Sequence, residues 1–224
     1  MDREYIGIIV NQFKQKSTLV NYLLTENYGL IKFSIYGISK KNSIYRAIIE
    51  PLNKISVTLS GNKKFIEAEL LESNQEIRKS YKKIEFSLKI LNFFNRFSNK
   101  TVDKSYCFYN LIERFLTSIS NINNPPYNSL EISFYYYYIF CLGVGLPIYK
   151  NIEGNKYIKI SLDDGAISNS ERAFPLSVES YKILQKISIS KFSNIDWEIS
   201  PRCKLELKNF LREYIYNHFN QNII

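Results

Sequence analysis

The hydrophobic period of this chain changes after Glu72, and that change limits the folds open to it. Before Glu72, apolar residues alternate with polar ones, as in strands that bury one face. After it, they recur at three and four residues, as in amphipathic helices.

The first part reads as five strands. Residues 4–13, E-Y-I-G-I-I-V-N-Q-F, are rich in β-branched and aromatic side chains. Lys14-Gln15-Lys16-Ser17 is a polar turn, and Thr18 to Thr25 is the second strand. Glu26 to Gly29 turns into a third, through Leu30, Ile31, Phe33 and Ile35, which breaks at Gly37. Ile55, Val57 and Leu59 mark the fourth strand, Gly61-Asn62 a hairpin turn, and Phe65 to Leu71 the fifth. Five short antiparallel strands within about 70 residues are the strand count of an OB-fold barrel.

The rest reads as helices. Ile77, Tyr81, Ile84, Leu88 and Leu91 predict one amphipathic helix from Gln75 to Phe97, with Arg78, Lys82, Lys89 and Arg96 on its solvated face. Asp103 to Ser120 repeats the pattern. Leu130 to Leu142 carries Tyr135, Tyr136, Tyr137 and Tyr138, which occupy every side of a helix and predict burial all round. Ile148 to Ile152 and Tyr157 to Leu162 predict a small hairpin joined at Gly154-Asn155. Ser177 and Ser200 predict helix N-caps, the second followed by Pro201. The expected fold class is α+β. An N-terminal five-stranded OB-fold barrel (1–73) precedes an all-helical domain (74–224) with a β-hairpin insertion at about 148–169.

With 45% hydrophobic residues, the chain supplies a packed core, but no run is long enough to span a membrane. Met1-Asp2-Arg3-Glu4 does not open a signal peptide, which predicts a cytoplasmic protein. Cys107, Cys141 and Cys203 are odd in number and far apart, so unpaired thiols in a reducing compartment are expected. With His218 the only histidine and no Cys-x-x-Cys pair, no zinc site and no cofactor are expected. No Gly-rich phosphate loop, nucleophile elbow or His-Glu-x-x-His is present, and the reading is of a binder and not an enzyme.

Charge points to the partner. The net charge is +9. Residues 32–64 carry Lys32, Lys40, Lys41, Arg46, Lys54, Lys63 and Lys64 against Glu50 alone, and residues 78–104 carry eight cations against two carboxylates. Clusters of this kind favour a polyanion. The loop with Lys40, Lys41 and Arg46 is a candidate phosphate clamp, with Lys14, Lys16, Lys32, Lys63 and Lys64 around it. Tyr36 and Tyr45 are the stacking candidates, whereas Phe13 is assigned to the core or rim.

Four tracts together resemble the RecO family of bacterial recombination mediators. They are Ile6-Gly7-Ile8-Ile9-Val10 with its basic turn; Gly37 followed by Lys40-Lys41, Ser43, Arg46 and Pro51, ahead of Glu67-Ala68-Glu69-Leu70-Leu71; the aromatic helix from Phe134, ending in Leu142-Gly143-Val144-Gly145-Leu146-Pro147; and Phe210-Leu211-Arg212-Glu213-Tyr214. The resemblance implies an OB-fold with a helical domain and binding of single- and double-stranded DNA. It also implies annealing of complementary strands in DNA repair and recombination, and action with RecR and the C-terminal tail of single-stranded-DNA-binding protein in loading RecA. Lys40, Lys41 and Arg46 would contact phosphates, with Lys14 and Lys16 extending that face. A nucleoid-associated protein is the expectation. Many family members hold zinc with four cysteines, but this chain has none between Cys141 and Cys203, so it resembles a member lacking the site. The alternatives are an OB-fold RNA-binding protein and an adaptor recruiting acidic protein tails.

Overall fold

The computed structural model describes residues 2–36, 43–97, 105–149 and 156–219. The chain divides into two compact units, Met1–Ile122 and Asn123–Ile224. The first holds, among the described residues, a five-stranded antiparallel sheet and four α-helices. Its strands are β1 (Arg3–Gln15), β2 (Thr18–Thr25), β3 (Gly29–Tyr36), β4 (Lys54–Leu59) and β5 (Phe65–Glu72), in the order β3-β2-β1-β4-β5. Between β3 and β4 stands a one-turn helix, α1 (Ser43–Ile48). β1 is the hub, because its first half pairs with β4 and its second with β2. Gly7 is required there: a Cβ on it would lie 2.4 Å from the Leu24 carbonyl oxygen.

The interior is built from one side of each strand. Ile9, Leu23, Ile31, Phe33, Ile35, Ile55, Val57 and Leu59 form one cluster, which Ile49 closes from below α1. The sheet is not a closed barrel, contrary to the sequence expectation. Its edges meet at one parallel bridge, Ser34 with Lys64. The β4–β5 register shifts between Thr58 and Leu59, and a bulge of that kind bends a strand locally. At the start of β5, Phe65 stacks on Phe33 of β3.

The predicted helix over Gln75–Phe97 is two, α2 (Gln75–Arg78) and α3 (Tyr81–Phe97). Asn74 is left-handed at the N-cap of α2, with φ 49°, and its side-chain amide donates to the Leu52 carbonyl at 2.7 Å. Arg78 is not on a solvated face. Its guanidinium donates to the carbonyls of Ser73 (2.9 Å) and Pro51 (3.0 Å) and to Asn53 Oδ1 (2.7 Å), and it pairs with Glu50 at 3.3 Å. Asn53 in turn donates to the carbonyls of Ala47 and Ile48, closing the end of α1. This polar knot holds the buried Leu52 at φ 78°. α4 (Ser105–Asn121) completes the unit, and its Cys107 is disulfide-bonded. The expectation of an unpaired thiol does not hold for this cysteine.

The second unit contains α5 (Tyr127–Leu142), strands β6 (Tyr157–Ile160) and β7 (Phe174–Ser177), α6 (Val178–Ile189), a 3-10 turn (Phe192–Asn194) and α7 (Pro201–Phe219). α5 is buried nearly all round, as its tyrosines predicted, and Gly143 caps it at φ 84°. Burial pushes the Tyr136 hydroxyl up to about 12. Glu131, fully buried, is held by Lys204 at 2.8 Å and accepts from Tyr135 at 2.9 Å. Cys141 is disulfide-bonded and Cys203 is a buried free thiol. The hairpin is not the predicted one. Tyr157–Ile160 pairs with Phe174–Ser177, Ile148 and Tyr149 are in no strand, and 150–155 lie outside the described residues. Both N-cap serines are in place: the Ser177 hydroxyl accepts from the Ser180 amide and the Ser200 hydroxyl from the Cys203 amide, each at 3.2 Å.

Candidate nucleic-acid interface

The outer side of β1–β2–β3 carries the candidate site. Strand pairing sets its side chains in cross-strand rows, because neighbours in register point the same way. Ile8 and Leu24 face Leu30 in the row nearest the helices. Both are buried, although they alternate with the interior residues Ile9 and Leu23. Helices α3 and α4 pack against β1, and α4 also against β2 and β3, covering this end. The Asn95 side chain of α3 donates to the Val10 carbonyl at 2.6 Å, and Glu113 of α4 meets Lys54 of β4 at 2.7 Å. The Glu113 carboxylate, with the Tyr109 hydroxyl, holds the Lys54 ammonium above its ordinary pKa against the effect of burial.

A register shift between Ile9 and Asn11 inserts Val10 and keeps the outward side of β1 facing out beyond the helices. Beyond that end the outward side is mixed: Val20 is buried and Asn11 and Tyr22 are half-buried, while Phe13, Gln15, Lys32 and Tyr36 are exposed. Asn11, Tyr22 and Lys32 form one row; Phe13, Val20 and Ser34 the next; Gln15, Thr18 and Tyr36 the last. Tyr36 is 72% exposed and Phe13 41%. Phe13 and Tyr22 have ring centroids 6.1 Å apart. The bridge from Ser34 to Lys64 carries the middle row into the β4–β5 turn, with Lys63 beside it. Lys16, at φ 55° in the two-residue β1–β2 turn, stands at the open end.

The structure therefore gathers Lys16, Lys32, Lys63 and Lys64 with Tyr36 around one face. Lys14, one residue from Phe13 on an extended strand, points to the other side of the same rim. Arg46 is exposed on α1, and Ile48 at the end of that helix and Ile49 after it pack on the interior. Tyr45 packs edge-on against Phe65, ring centroids 5.0 Å apart, and its ring serves the interior. Gly37, Lys40 and Lys41 lie outside the described residues. Sequence reasoning missed Tyr22 and assigned Phe13 to the core or rim; only the cross-strand register places Tyr22 beside Lys32 and Phe13 on the same side of the sheet.

None of Lys14, Lys16, Lys32, Arg46, Lys63 and Lys64 forms an ion pair among the described residues, and all are exposed. The helical cations differ. Arg78 is tied into the polar knot, Lys79 pairs with Glu76, and Lys83 is buried with its ammonium 3.4 Å from the Ser120 carbonyl. Among the described residues no group of histidine, cysteine and carboxylate side chains is placed to hold a metal, and no helix is long and apolar enough to cross a membrane. No protein-family model and no curated protein matches this chain.

Proposed function

We propose that this chain binds DNA strands through the open end of β1–β2–β3 and acts as a recombination mediator of the RecO type. One observation carries the reading: four exposed lysines that form no ion pair among the described residues surround a set of aromatic rings on one sheet face. Cations neutralise phosphates, while rings stack on any base, so such a face holds a single strand with little dependence on sequence. The strand order, the helix between β3 and β4 and the Ser34–Lys64 bridge support an incompletely closed OB-fold. Folds of that type bind oligonucleotides on the face of strands 2 and 3 and on the β1–β2 and β4–β5 turns. Lys32 and Tyr36 stand on that face, and Lys16, Lys63 and Lys64 on those turns.

Annealing follows from the same chemistry. Neutralising the phosphates of two strands lowers the repulsion that opposes pairing, and binding without base readout leaves the base edges free. In this reading RecR and single-stranded-DNA-binding protein are the partners, RecA loading is the outcome, and the chain itself catalyses no reaction. The test is annealing of complementary DNA oligonucleotides at low salt. The full chain should accelerate pairing, and the Lys16→Ala, Lys32→Ala, Lys64→Ala triple variant should lose most of that acceleration while staying folded. Binding of RNA with no binding of DNA would replace this reading by an RNA-binding one.

A further inference from the structure

The same sheet carries a second outer face of opposite sign. On β1–β4–β5 the register sets Glu4, Thr58 and Glu67 in one row and Ile6, Ser56 and Glu69 in the next. Glu4, Glu67 and Glu69 are exposed. Glu4 accepts from the Ser56 hydroxyl, and Thr58 donates to Glu67 at 3.5 Å. The cation of the following row, Lys54, is turned to Glu113 of α4. A strand leaving Lys63 and Lys64 along β5 therefore meets Glu67 and then Glu69. In the other direction, along β2 and β3, the open face ends where α3 and α4 cover Ile8 and Leu24.

We propose that Glu4, Glu67 and Glu69 are electrostatic stops that, with helices α3 and α4, confine a bound strand to the β1–β2–β3 half of the sheet. Phosphates repelled from the carboxylate rows gain nothing by extending over them, so the footprint is short. It lies at the lower end of the roughly 4–16 nucleotides that one OB-type sheet occupies. The inference rests on the DNA-binding reading above and adds to it the residues that set footprint length.

The experiment measures affinity of the full chain for oligodeoxythymidylates of increasing length, and the salt dependence at each length. For the wild-type chain, affinity per molecule should stop rising steeply after a few nucleotides. The Glu67→Lys, Glu69→Lys variant should shift that plateau to longer strands. Its slope of log affinity against log salt should steepen by about 1.4 on long strands, since each phosphate contact contributes about 0.7 for a single strand. The Glu67→Gln, Glu69→Gln variant removes the repulsion without adding cations, and should lengthen the plateau with little change of slope. A folded Lys variant with the wild-type plateau and slope overturns the inference while leaving the DNA-binding reading in place. A wild-type chain that binds no oligonucleotide overturns the DNA-binding reading and the inference with it.

Discussion

Lys32 reaches over the ring of Tyr22, the residue opposite it on the neighbouring strand, with its ammonium 5.9 Å from the ring centroid. At that range the two attract as a cation–π pair. The pairing fixes a long, flexible cation in the middle of the open face without neutralising it, so it remains available to a phosphate. Lys16 and Lys64 mark the two turns that flank this position. Replacing Lys16, Lys32 and Lys64 by alanine should flatten the salt slope for single-stranded DNA by about 2, if each contacts one phosphate. Affinity should fall alike for all sequences of one length. Salt titrations of anisotropy with two unrelated oligonucleotides check both points, and a loss confined to one sequence would argue for base readout.

Tyr36 separates stacking from charge. Its ring is 72% exposed at the end of β3, so the fold does not depend on it. Tyr36→Ala should leave the stability within the small change expected of a surface substitution, under about 0.5 kcal/mol. It should weaken single-strand binding by about 1–3 kcal/mol, the loss of one base stack, and leave the salt slope unchanged. Duplex bases are already stacked, so duplex affinity should hardly change. Equal losses on single strand and duplex would mean that Tyr36 does not stack.

The second unit has an acid-sensitive anchor. Burial pushes the Glu206 carboxyl up, but the hydroxyls of Ser177 and Ser180 and the Ser177 amide outweigh it and hold the carboxyl below its ordinary value. The amide donates at 2.7 Å and each hydroxyl at 2.6 Å, joining the start of α6 to α7. A depressed folded-state pKa means that the unfolded chain takes up the proton first. The stabilisation is full above the ordinary glutamate range and is lost as pH falls through the lowered folded value. Denaturant titrations from neutral pH downward should show Glu206→Gln as less stable than wild type near neutrality, with the gap closing in acid. A constant gap would assign the effect to packing.

The sequence revealed the strands through their β-branched and aromatic residues and, most clearly in β3, through alternation of buried and exposed positions. It hid elements whose cause is a distant side chain. α1 is six residues long, and it ends on the Asn53 amide that binds the Ala47 and Ile48 carbonyls. β7 contains Pro175, which argues against a central strand but is tolerated in a two-stranded ribbon, where every strand is an edge. For the site, composition exposed the cations, yet grouping them needed the register. Phe13 and Tyr22 share a face only because Val10 is inserted between Ile9 and Asn11, a one-residue irregularity without a sequence signal.

Arg78 is where charge and role part company. In sequence it belongs to a cationic run of eight, but its guanidinium is committed to Ser73, Pro51, Asn53 and Glu50. These groups link α2 to the segment that carries Leu52 at φ 78° and ends in β4. Arg78→Ala leaves the Pro51 and Ser73 carbonyls and the Asn53 side chain without that donor, and Asn53 also closes α1. The expected cost is about 2–3 kcal/mol of stability, the upper range for hydrogen bonds to a charged group. Arg78→Lys should recover little of it, because an ammonium cannot reproduce a planar fork directed at several acceptors. Neither variant should alter the salt slope for DNA when measured well below its melting temperature. Denaturant unfolding gives the first quantity and anisotropy titration the second. A stable Arg78→Ala protein with a flattened slope would move the phosphate contacts from the sheet to the helices.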